Sequence, residues 1–157
     1  MKRWVPALFV ILVSGCGLGQ STAGGNSHAA LATSCDYLST PDFQSTLGHA
    51  LTVYRTGPSC SYRDPQGDTC NVLVARESGQ YTDGKTQAAA YGQVESLAVG
   101  DRGFFSAQLQ VPPAVWVFDF GFVKGDMFGG GLCGGRFSSA NPRPLAAKLA
   151  GRIASKL

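Results

Sequence analysis

Two hydrophobic periods organise this chain. In the stretch VWVFDFGFV, residues 115–123, apolar and aromatic positions alternate, which predicts a strand. Trp116, Phe118, Phe120 and Phe122 share one face, while Val115, Val117, Asp119 and Val123 share the other. At the C-terminal end, Leu145, Leu149, Ile153 and Leu157 recur every four residues, with Ala146, Ala150 and Ala154 beside them. Lys148, Arg152 and Lys156 form the adjoining stripe, so the segment predicts an amphipathic helix, capped by Asn141 and started by Pro142, that covers one face of a sheet. The aromatic face of the strand is its expected partner.

The remaining elements follow from alternation and punctuation. Residues 40–47 predict a helix, with Thr40 as N-cap, Pro41 at its first position, Asp42 at the positive end and Gly48 as the stop. ALTVYRT, residues 50–56, alternates as a strand. CSYRD and TCNVLVARE then form a hairpin around Pro65-Gln66-Gly67, a type I turn closed by a left-handed glycine. That loop sets Asp64 opposite Asp68, Tyr62 opposite Cys70 and Cys60 opposite Val72. A helix is expected from about Lys85 to Gln93, with Gly92 weakening its end. Two strands flank a Gly100-Asp101 turn, and after a glycine-rich turn LCGGRFSS pairs beside the aromatic strand, with Gly134 and Gly135 marking a bulge or close packing. The sum is an α+β fold: a twisted, mostly antiparallel sheet with helices packed on one face.

The first 15 residues carry a different pattern. Lys2 and Arg3 precede a ten-residue apolar core, Trp4 to Val13, and the small residues Ser14 and Gly15. This is the layout of a signal peptide, and the core is well short of the roughly 20 residues a transmembrane helix needs. Leu12-Val-Ser-Gly-Cys16 resembles the lipobox of bacterial lipoproteins. The resemblance implies that Cys16 is acylated on sulfur and becomes the first residue after cleavage, anchoring the chain to the cell membrane on its extracytoplasmic side. Each buried methylene contributes about 0.8 kcal/mol, and two or more acyl chains hold stably where one does not. Residues 16–33 are mostly small and polar and form the expected tether, in which His28 is simply solvated. Residues 34–157 are the expected single extracytoplasmic domain.

Charge alters the picture only by exclusion. The net charge is +3, falling to +1 if Lys2 and Arg3 leave with the leader, and no basic block occurs, so a nucleic-acid partner is not expected. Cysteine adds more. With Cys16 acylated, Cys35, Cys60, Cys70 and Cys133 remain of the five, an even number in an oxidising compartment, which implies two disulfides. Zinc on these cysteines fails on spacing: there is no C-x-x-C and no H-x₃₋₅-H, and neither His28 nor His49 adjoins a Cys. The hairpin register places Cys60 and Cys70 diagonally, a poor geometry for a bridge, and the favoured pairing is Cys35–Cys60 with Cys70–Cys133. Those closures, of ~25 and ~63 residues, are each worth roughly 4 kcal/mol on chain entropy.

Candidate chemistry is sparse. GGGLCG, residues 129–134, matches G-x-G-x-x-G, but neither a following helix nor an acid about 20 residues on accompanies it, so no dinucleotide is expected. No G-x-S-x-G occurs, and His49 is the one histidine of the expected domain, read as a helix C-terminal cap. Asp119 is read as an outward-facing carboxylate on the solvent side of its strand, with a partly buried carboxylate in a cleft as the sharper alternative. No catalytic residue, cofactor or metal is expected.

The mature domain resembles a family of small lipoproteins from actinobacteria, mycobacteria included. The shared marks are Cys16 with its tether, CDYL at residues 35–38, CSY at 60–62, VGD at 99–101 and the terminal amphipathic helix. The resemblance implies Cys35–Cys60 as the common bridge, with Cys70 and Cys133 as an additional pair, and brings no assigned activity and no catalytic residue. The expected role is a membrane-anchored, non-catalytic binding or accessory module for an envelope protein or small ligand. The alternatives are an extracytoplasmic hydrolase using His49 or carboxylates, and a lipid or small-ligand carrier. Convergence of Asp119, His49 and a further polar group in one cleft favours the hydrolase; their separation favours binding.

Overall fold

The structure, a computed structural model, describes residues 33–55, 58–111, 114–137 and 141–157. The expected leader, the acylated Cys16, His28 and almost all of the tether lie outside the described residues. Seven antiparallel strands form one sheet in the order β1-β2-β3-β7-β6-β5-β4. They are β1 Thr52–Arg55, β2 Ser59–Arg63, β3 Thr69–Arg76, β4 Glu95–Ser96, β5 Arg102–Gln110, β6 Val115–Lys124 and β7 Met127–Gly135. Among the described residues, three α-helices complete the fold: α1 Thr40–Leu47, α2 Gln80–Ala88 and α3 Arg143–Ala154. This is the expected α+β architecture with its C-terminal helix.

The two faces of the sheet are built differently. Phe118, Phe120 and Phe122 of β6 are fully buried beside Leu145, Leu149 and Ile153 of α3 and Phe43 and Leu47 of α1. The Arg152 guanidinium joins the two helices, donating to Asp42 Oδ1 at 2.7 Å and to Ser45 Oγ at 2.8 Å. Helices were expected on one face only. α1 and α3 share that face, but α2 lies on the other, where its Ala88 packs with Phe104 and Phe128. Adjacent residues show the split: Phe105 belongs to the first core and Phe104 to the second.

Three local expectations are corrected. The N-cap of α1 is Ser39, not Thr40: its hydroxyl and N–H both donate to Asp42 Oδ2, so Asp42 serves as the reciprocal third residue of a capping box. α2 starts at Gln80, five residues before the expected start, because the Glu77 carboxylate accepts the N–H groups of Gly79 and Tyr81 at the helix opening. Gly84, read as outside the helix, lies within it; a Cβ there would stand 3.2 Å from Phe104, so the glycine lets α2 lie close to the sheet. Finally, the glycine-rich segment is no turn. Gly129, Gly130 and Gly131 are consecutive residues of β7, and a Cβ on Gly129 or Gly131 would stand 2.7 or 2.9 Å from the rings of Phe122 or Phe120. The glycines are where two rings of β6 fold across the neighbouring strand.

The β2–β3 hairpin has the expected register: Cys60 faces Val72, Tyr62 faces Cys70, and Gly67 has φ +94°. Cys35–Cys60 ties the opening turn to β2, and Cys70–Cys133 joins β3 to its neighbour β7. Tyr62 reinforces the first link, its hydroxyl donating to the Leu38 carbonyl at 3.0 Å. Burial, with Asp36 and Asp42 nearby, pushes this phenol up to about 12, so it stays a donor.

Candidate functional site: a cavity between the sheet and helix α2

On the α2 face, register lines up one row of residues across five strands: Ser106 on β5, Asp119 on β6, Leu132 on β7, Asn71 on β3 and Ser61 on β2. The next row carries Phe104, Gly121, Gly130, Leu73 and Ser59. Helix α2 covers only part of these rows. Between the helix and the uncovered part lies a cavity of about 250 Å³. Its floor is Gly130, Leu132 and Phe120, its apolar walls are Phe104, Phe128 and Leu73, and Gln80, Asp83 and Gln87 of α2 edge it.

Asp119 is the distinctive group. It lines the cavity and is only 7% exposed, which overturns the outward-facing reading and supports the alternative of a carboxylate in a cleft. Burial pushes its pKa from an ordinary 3.8 up to about 7, against the partial opposing effect of the Phe120 N–H. Near neutrality the group therefore sits between a neutral acid that donates a hydrogen bond and a carboxylate that accepts two. Ser106, its cross-strand neighbour, is fully buried, and its hydroxyl has no hydrogen-bond partner among the described residues. On the far side of Leu132, Asn71 is oriented by Ser61, whose hydroxyl donates to the Asn71 side-chain oxygen at 2.6 Å. That bond leaves the Asn71 amide N–H groups free of it.

The lining has one sign of charge. Asp83 and Asp119 are acidic, and among the described residues that line the cavity there is no Lys, Arg or His. An anion would find no counter-charge there. A neutral polar molecule meets amides and a protonatable carboxyl, and a small cation meets two carboxylates beside two aromatic rings.

His49 lies elsewhere. It does not cap α1, as expected from its position; Gly48 does, in the left-handed conformation, with its N–H on the Gln44 carbonyl and the Gln44 side chain on its own carbonyl. The His49 ring instead stacks on Phe137, and Nε2 lies 3.1 Å from Asp68 Oδ2 and 3.9 Å from Asp64 Oδ2. None of these three residues lines the cavity. Asp64 and Asp68 entered the sequence reading only as turn residues, and Gln80, Asp83, Gln87 and Asn71 not as site residues at all. Asn71 alone carries a sequence signal, a polar position on the second face of an otherwise apolar strand. The chain matches no protein-family model, no characterised protein and no solved structure.

Proposed function

We propose that the chain is a lipid-anchored, extracytoplasmic binding module, related to the small actinobacterial lipoproteins it resembles, and that it takes a small neutral or cationic molecule in the cavity under α2. The observation that carries the binding reading is the separation of Asp119 from His49: the two titratable groups on which a hydrolase would depend lie in different places, while Asp119 alone faces a cavity edged by side-chain amides. Ligand sites of this build use apolar walls for burial and a few polar groups for orientation. A volume of about 250 Å³ is just under the roughly 300 Å³ at which drug-sized sites begin, so the ligand is small. The anchor rests on Leu12-Val-Ser-Gly-Cys16 behind its apolar core.

Both halves are testable on the protein in its own cell. Cys16→Ala should move the chain out of the membrane fraction or leave it uncleaved; normal cleavage with unchanged membrane partitioning contradicts the anchor. Native mass spectrometry of the protein extracted from its own membranes should show a retained small molecule, neutral or cationic in free solution. A retained anion contradicts the charge argument, and an empty protein contradicts the cavity as a binding site.

A further inference from the structure

The second cluster carries an inference of its own, independent of the cavity. His49 leads into β1, Asp64 opens the β2–β3 turn and Asp68 closes it, and one donor atom from each lies within 4.8 Å of the others. The set is withdrawn from solvent: the Asp64 and Asp68 side chains are 7% and 11% exposed and that of His49 29%. Each carboxylate is held by its other oxygen. Asp64 Oδ1 accepts the N–H groups of Gln66 and Asp68, both at 2.9 Å, and Asp68 Oδ1 accepts the N–H of Arg136 at 3.0 Å. Asp64 Oδ2 and Asp68 Oδ2 are the atoms left beside His49 Nε2. Gly135 makes room for this, since a Cβ there would stand 2.7 Å from the Asp68 carboxyl carbon.

Nε2 of His49 is buried and makes no hydrogen bond among the described residues, although Asp68 Oδ2 is only 3.1 Å away. The separation suits an ion pair, but the ring does not aim an N–H at the oxygen. A buried ring nitrogen left this way demands a partner. A metal ion is one that all three atoms can share. With metal–ligand bonds of about 2.0–2.2 Å, neighbouring ligands of a tetrahedral site lie ~3.3–3.6 Å apart. The separations of 3.1 and 3.9 Å from Nε2 to the two carboxylate oxygens bracket that edge.

We propose that His49, Asp64 and Asp68 form a three-ligand site for a divalent transition cation of zinc's size. One imidazole nitrogen and two carboxylate oxygens are borderline-to-hard donors, which suit Zn²⁺ and its first-row neighbours, and three protein ligands leave a position open to water or an added ligand. Backbone N–H groups hold both carboxylates, as the outer supports of such sites do, and the imidazole stacks on the Phe137 ring. Binding joins the segment before β1 to the hairpin turn and, through the Arg136 N–H, to the chain leaving β7.

The test uses the intact protein in detergent, stripped of metal with a chelator and titrated calorimetrically with Zn²⁺ alone, then with Co²⁺ followed by absorption. The expected result is one equivalent of Zn²⁺ bound and a Co²⁺ spectrum of low coordination number. Asp68→Asn keeps an oxygen for the Arg136 N–H while removing the anionic ligand, and His49→Gln removes the imidazole. Each should weaken Zn²⁺ by more than the roughly 10–100-fold that loss of an outer support costs. Should either variant misfold, Asp64→Asn serves in its place. Asp119→Asn, at the separate cavity, should leave the affinity unchanged. Absence of stoichiometric binding by the wild-type protein, or equal affinity in folded ligand variants, overturns the site.

Discussion

The two faces of this sheet share their strands but not their chemistry. Below β6, three phenylalanines, all fully buried, fold across a strand reduced to glycine and meet two helices. Above it, the same strand presents Asp119 and Gly121, and one short helix covers only part of the surface. The difference lies in what alternates with the aromatics. A strand buried on both sides by apolar residues would be structural throughout, whereas a carboxylate and glycines on the second face leave both space and polarity beneath a helix. The packed face explains why the domain folds, and the open one offers it something to bind.

The largest effect should come from the packed face. Phe122 is fully buried, and its ring lies against Gly129, whose Cβ position is itself 3.1 Å from Ile153. Phe122→Ala should cost about 3–5 kcal/mol in urea unfolding, because glycine cannot move to fill the gap. Leu73→Ala, on the half-buried opposite face, should cost less than about 1.5 kcal/mol. Equal losses would erase the distinction between the faces.

Asp119 gives the next effect, and its sign depends on pH. Unfolded, it ionises near 3.8; folded, near 7. Below the lower value both states hold the proton and nothing is lost. Between the two values the unfolded chain releases the proton and the folded one keeps it, so stability falls as pH rises and levels off above the folded value. About three units at roughly 1.4 kcal/mol each make a difference of up to about 4 kcal/mol. Asp119→Asn should therefore stabilise the protein at pH 8.5 and change little at pH 3.5, as read from melts at the two values. A constant difference across that range would mean that Asp119 is not held as a buried acid.

A smaller change belongs to the opening turn. Tyr62→Phe removes the donor to the Leu38 carbonyl and should cost about 1–2 kcal/mol, since that acceptor stays buried. Smallest is Arg152→Ala. It cuts the bonds to Asp42 and Ser45, but the Arg152 side chain is 43% exposed, so the loss should stay below about 1 kcal/mol and shrink in salt.

How much of this was legible depended on how local each cause was. The C-terminal helix, the aromatic strand and the hairpin register are written in spacing and turn residues, and the structure has them where Leu149, Phe120 and Gly67 place them. α2 was misplaced because its start depends on Glu77, a carboxylate upstream of the helix, and because Gly84 reads as a breaker until Phe104 and Phe128 are known to lie against it. The triple glycine of β7 reads as a turn for the same reason: its partners are rings on another strand. The cavity was illegible, since it exists only where α2 stops short of Asn71 and Asp119, which are 48 residues apart in sequence. His49 and the hairpin aspartates meet by a chain reversal that no spacing encodes.

The claim that the open face is the binding face is tested most directly by closing it without disturbing the packed one. Gln87 is an exposed residue of α2 at the cavity's edge, so Gln87→Trp places an indole in or over the opening while the α1 and α3 core is untouched. Wild-type and variant proteins, extracted identically from their own membranes, would be compared by native mass spectrometry and by melting temperature. The expected result is a small-molecule adduct on the wild type, none on the variant, and matching melts once the ligand is dialysed away. An adduct of the same mass and occupancy on both proteins would contradict the assignment of ligand binding to the cavity under α2.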